Sequence, residues 1–137
     1  MSAAFSIQVR VYFEDTDAGG VVYYANYLRF MERARSEWLR AVGFEQNELS
    51  SSQNVVFAVR SVRADYLRPA RLDDMLEITA VPVRIGSASL VFAQQVLRAG
   101  EPLCTGEIRV ACLDSRGFVP TPIPSTMLSR INLWRQP

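Results

Sequence analysis

The 137-residue chain contains no histidine and no lysine, and all fifteen of its cations are arginine. The missing histidine excludes Ser-His and Cys-His nucleophile pairs, and histidine-ligated zinc, within one chain. Only two cysteines occur, Cys104 and Cys112. Their spacing matches no metal motif and no disulfide framework. On one extended strand they would stand roughly 26 Å apart, far beyond disulfide reach. They read as buried thiols in a reducing compartment. No apolar run approaches a membrane span and no basic-then-apolar leader is visible, which predicts a cytoplasmic protein without membrane insertion. A net charge of +1 lacks the basic field that nucleic-acid binders use.

What is present is enough apolar material, 49% of residues, for one domain over residues 1–137 with a core at about 5–131. Residues 5–14 alternate, with Ile7, Val9, Val11 and Phe13 on one face, and predict a half-buried first strand. The acidic loop Asp15-Thr16-Asp17-Ala18-Gly19-Gly20 follows. Its paired glycines permit positive φ and close backbone approach. Apolar residues at Tyr27, Phe30, Met31, Ala34, Trp38, Ala41 and Val42 then make one stripe, predicting an amphipathic helix over 27–42. Asn26 or a neighbour is placed to cap it, and Gly43 to stop it.

After a short helical turn and a serine-containing loop, the chain reads as strand. Four strands are predicted, over 55–66, 75–84, 89–98 and 103–113, joined by turns such as Ala99-Gly100-Glu101-Pro102. Pro82 marks an edge position or a bulge. A helical turn is expected over 125–131. One long helix beside consecutive antiparallel strands is an α+β arrangement. The uncovered face and edge of such a sheet favour self-association.

Without histidine, hydrolysis near neutral pH falls to a carboxylate, a metal or a lone nucleophile. Asp17 stands just ahead of a helix start. Unsatisfied N–H groups there can polarise a carbonyl and hold the oxyanion that forms on it. A carboxylate opposite can activate water as general base or attack as nucleophile. The helix start can be its own or that of a symmetry mate.

The segment Glu-Asp-Thr-Asp-Ala-Gly-Gly-Val-Val-Tyr-Tyr-Ala-Asn-Tyr, followed by Phe-Met-Glu-Arg-Ala-Arg-Ser-Glu-Trp-Leu, closely resembles the hotdog-fold acyl-CoA thioesterases of the 4-hydroxybenzoyl-CoA thioesterase family. Within that family it is most similar to the YbgC-like branch associated with the Tol-Pal system. The resemblance implies a long central helix wrapped by a curved, mainly antiparallel five-stranded sheet. It implies Asp17 as the catalytic carboxylate and backbone N–H groups around Tyr24 as holders of the thioester carbonyl, with Gly20, Val22 and Tyr23 in contact with substrate. It also implies a homodimer or homotetramer with sites at the subunit boundary, no metal or organic cofactor, and a link to Tol-Pal partners. Tyr24 is a departure, because the branch usually carries histidine there. An acyl-CoA substrate would give the arginines a use, since guanidinium groups suit its phosphates. Arg60, Arg63 and Arg68 are the first candidates, with Arg71 and Arg84 beside them. A dehydratase on the same fold is disfavoured by the missing histidine. An acyl-CoA-binding protein with little turnover is the alternative.

Overall fold

The computed structural model describes residues 4–135. In chain order the elements are β1 (Phe5–Arg10), a 3₁₀ turn (Phe13–Asp15), α1 (Tyr24–Val42), α2 (Gln46–Gln53), β2 (Val55–Tyr66), β3 (Met75–Ile85), β4 (Ser89–Arg98), β5 (Glu101–Asp114) and α3 (Ser125–Arg135). The strands form a five-stranded sheet in the order β1-β3-β4-β5-β2, and every pairing is antiparallel. This is the α+β hotdog arrangement that the sequence predicts.

α1 packs across β1, β3 and β4. It buries Tyr27, Phe30, Met31, Ala34, Trp38, Leu39 and Val42. The stripe thus includes Leu39, whereas Ala41 is exposed. One buried polar group ties the helix to the sheet. Gln94 on β4 donates to Met31 O and to Thr79 O, each at 3.0 Å, and accepts from Arg35 at 2.9 Å. Both amide N–H donors and the carbonyl oxygen are thus engaged, as a buried amide requires. At its far end α1 stops at Gly43, whose φ of 109° suits a residue without Cβ. Arg130 of α3 closes that end by donating to Val42 O at 3.3 Å.

Three local expectations change. The first strand ends at Arg10, and Phe13 lies 82% exposed. The reason is a local competitor: Tyr12 N–H donates to the Asp15 carboxylate at 2.9 Å, folding residues 13–15 into a 3₁₀ turn. Next, α1 begins at Tyr24, a turn before the apolar stripe. Asn26 is not its cap, since it sits inside the first turn and its side chain donates to Asp15 O at 2.9 Å. Last, the serine-rich segment after α1 is helical as α2. Pro82 does mark a bulge, between Pro82 and Arg84, just past the residues that β1 covers.

Cys104 and Cys112 are free, buried thiols on β5. Burial pushes the pKa of each up to about 11. Neither should react with iodoacetamide in the native protein at pH 8, while both react in denaturant; mass spectrometry of the alkylated chain checks this.

Candidate active site

The acidic loop is stitched to its surroundings by backbone. Thr16 and Val22 form an antiparallel bridge, and Asp17 N–H donates to Val21 O at 2.9 Å. Gly20 N–H donates to Asp17 O at 3.0 Å, closing a tight turn in which Gly20 takes a φ of 80°. That conformation strains any residue with a Cβ. Asp17 Oδ1 accepts from Gly19 N–H at 2.8 Å, so the carboxylate is oriented by its own turn while its side chain stays exposed. Asp15 is used differently, its carboxylate on Tyr12 N–H and its carbonyl under Tyr23 N–H and Asn26.

Immediately after this hairpin-like loop comes the start of α1. Its N-cap is Tyr23, with extended backbone and no side chain capping it. Tyr23 N–H is taken by Asp15 O and Asn26 N–H by Tyr23 O. The Tyr24 and Ala25 N–H groups stand ahead of any intrahelical acceptor, and the helix dipole adds partial positive charge there. They are suited to an incoming carbonyl.

The connector after β2 closes one flank. Val22 N–H donates to Ala70 O at 2.9 Å, Val21 bridges Arg71, and Ala70 N–H donates to the Tyr27 hydroxyl at 2.9 Å. Burial holds the Tyr27 phenol above its ordinary pKa, against the Ala70 N–H that it accepts. Around the helix start the rings gather: Tyr23 and Tyr24 lie 4.9 Å apart, and Tyr66 lies 6.1 Å from Tyr24 and 5.4 Å from Tyr27. Burial also raises the Tyr66 pKa. Sequence reasoning did not single out Tyr66. Its signal would have been a tyrosine closing the strand just before Leu-Arg-Pro.

Of the residues on this short segment, Asp17, Gly20, Tyr23 and Tyr24 are exposed, whereas the Val22 side chain is buried in the core. The structure treats the arginines unevenly. Arg60 and Arg63 are exposed on β2, and Arg68 lies just beyond it, paired with Glu101 at 3.2 Å. Arg84 pairs with Glu107 at 3.7 Å. Both pairs are exposed and weak enough to open for a ligand. Arg71 is the arginine whose backbone adjoins the loop. Among the described residues no three metal-ligating side chains converge, and no helix is long and apolar enough to cross a membrane.

Residues 19–105 match the model of the thioesterase superfamily, beginning just past Asp17. The acyl-CoA thioester hydrolase YbgC of Escherichia coli is 44% identical over 126 residues, covering 91% of this chain and 93% of that one. The acyl-CoA thioesterase YbgC of Haemophilus influenzae is 42% identical over 120 residues, covering 88% of each. The crystal structure of a probable thioesterase from Bartonella henselae superposes with a TM-score of 0.85 at 36% identity, covering 89% of this chain and 100% of that one. Fold, sequence and the order of loop and helix agree: the chain belongs to the thioesterase superfamily, in its YbgC-like branch of hotdog-fold acyl-CoA thioesterases.

Proposed function

We propose that the chain hydrolyses acyl-CoA to free acid and CoA, with Asp17 as the reacting carboxylate and the Tyr24 and Ala25 N–H groups as oxyanion holders. As general base, Asp17 takes a proton from water while the oxygen adds to the thioester carbonyl carbon. The tetrahedral oxyanion rests on the helix start, the C–S bond breaks, and the Asp17 proton passes to the departing thiolate. As nucleophile, Asp17 instead expels the thiolate to form an anhydride, which water then cleaves. The observation that carries this reading is the pairing of an oriented carboxylate with an uncapped helix start, joined by one stitched loop.

An exposed carboxylate is a weak catalyst, because water screens the charges it would act through. Something must cover Asp17, and the exposed apolar surface nearby indicates what. β2 is an edge strand, and Val59, Val62 and Tyr66 on it are 49%, 45% and 45% exposed. Joining two copies through β2 would extend the sheet, bury this strip and close each site with the other subunit. We read the chain as a single-domain homodimer, or a homotetramer of two such pairs. Gly20, Val22 and Tyr23 would line the thioester, and Arg60, Arg63 and Arg68 would meet the CoA phosphates.

Thiol release from short, long and aromatic acyl-CoAs tests the activity. Binding without release in every case would favour the acyl-CoA-binding alternative, which Tyr24 in place of the branch's histidine motivates. Tyr24→Phe should keep kcat/KM within about threefold, since the backbone N–H survives. A loss beyond about a hundredfold would instead make the phenol a participant.

A further inference from the structure

Tyr27 is buried, and its ring belongs to the apolar stripe of α1, edge-on to Phe30 at 6.5 Å and to Tyr66 at 5.4 Å. Packing accounts for the ring but not for the hydroxyl, because phenylalanine would fill nearly the same space. The hydroxyl closes a circuit of bonds. It accepts from Ala70 N–H at 2.9 Å, Ala70 O accepts from Val22 N–H at 2.9 Å, and the chain from Val22 to Tyr27 completes the loop. That circuit contains the end of the acidic loop and the first turn of α1, Tyr24 and Ala25 included. One step outside it, Asp17 N–H donates to Val21 O at 2.9 Å and Val21 bridges Arg71. Val22, Tyr27 and Ala70 are all buried, so water does not compete for the bonds that join them.

The far side of the circuit, the connector over residues 67–74, is anchored independently. Leu67 and Arg68 N–H both donate to Leu103 O, at 2.8 and 3.1 Å. Arg98 donates to Pro69 O at 3.2 Å and to the Asp74 carboxylate at 2.8 Å, and Asp73 N–H donates to Val11 O at 3.0 Å. The connector is therefore the fixed member, and the loop and helix start take their places from it through Ala70. We infer that Tyr27 is a positioning residue for hydrolysis, its hydroxyl setting the Asp17 turn and the Tyr24 and Ala25 N–H groups at one separation. The inference rests on the thioesterase reading. The hydroxyl itself touches no reacting atom. Its removal leaves Ala70 N–H buried without an acceptor, a state that folded proteins relieve by shifting backbone toward another acceptor or water. Any such shift carries Ala70 O with it and moves Val22. A misplacement of about 1 Å between a catalytic group and its oxyanion donors costs on the order of a hundredfold in rate.

Tyr27→Phe keeps the ring contacts and deletes the hydroxyl. Its kcat for thiol release from acyl-CoA should fall at least about tenfold while KM stays within about threefold, because the substrate-lining residues are untouched. Arg98→Met loosens the anchored side by removing the bonds to Pro69 O and Asp74, and it should move kcat and KM in the same way. Together the two substitutions should lose less than the product of their single losses, since both act through Ala70. Amide hydrogen exchange reads the circuit without turnover. In Tyr27→Phe the Val22 and Ala70 N–H groups should exchange at least about tenfold faster, with mid-helix amides such as that of Ala34 unchanged. Unchanged kcat in folded Tyr27→Phe, a loss confined to KM, or single losses that multiply in full would overturn the inference. So would faster exchange spread evenly through the core, which reduces Tyr27 to a general contribution to stability. Local acceleration at Val22 and Ala70, with no thiol release from any acyl-CoA by the wild type, would overturn the thioesterase reading and leave the circuit as structure alone.

Discussion

Asp17→Asn should lower kcat/KM for acyl-CoA by a factor on the order of 10² to 10⁴, the contribution typical of a positioned acid–base group. The fold should not change. Asn keeps the Oδ1 acceptor that Gly19 N–H uses at 2.8 Å, and the bridge between Thr16 and Val22 is made by backbone. The turn and the helix start therefore stay where they are. What disappears is the basic, nucleophilic oxygen. An exposed substitution of this kind moves stability by no more than about 0.5 kcal/mol, so thermal unfolding and kinetics separate the two effects. Near-normal turnover in a well-folded Asp17→Asn protein would place the chemistry elsewhere.

The second large effect concerns the β2 edge. Replacing Val59 and Val62 together by Asp should give a folded monomer whose kcat/KM is down by at least about a hundredfold, the scale expected when a site loses positioning and water exclusion. Both side chains are about half exposed in the single chain, so neither is needed to complete a protomer's own core. Across a twofold pairing each new carboxylate would meet its symmetry mate in a partly dry interface, where like charges are strongly disfavoured. Light scattering reads the assembly and thiol release reads the activity. A monomer with full activity would show that one chain carries a complete site.

Much of this molecule is legible in its residues, and the exceptions have identifiable causes. The bounds of β2 and β4 follow from apolar patterning between turn residues, because strands with a buried face impose period two. The long helix follows from its stripe, but its first turn does not. Tyr24 is exposed and Ala25 and Asn26 are half-buried, and what anchors this turn is the Asp15 carbonyl, which accepts from Tyr23 N–H and from the Asn26 side chain. The end of β1 was hidden for a related reason, since alternation continues to Phe13 while the Asp15 carboxylate captures Tyr12 N–H and turns the chain. The Asp17 loop announced itself through its glycines and the absence of histidine. Tyr66 did not, since its neighbours Tyr24 and Tyr27 lie some forty residues away and meet it only through the fold. Trp38 reads as an ordinary core residue, and that its indole N–H finds no partner is visible only in the packed core.

The central claim, that this chain turns over acyl-CoA with its own Asp17 carboxylate, is tested most directly by continuous measurement of CoA thiol release. Wild type and Asp17→Asn should be assayed side by side, with a chelator present. The account predicts saturable, multiple-turnover release by the wild type, unaffected by the chelator, and a loss of at least about a hundredfold in the variant. Absence of release from every acyl-CoA tried, or equal release by the two proteins, would contradict it.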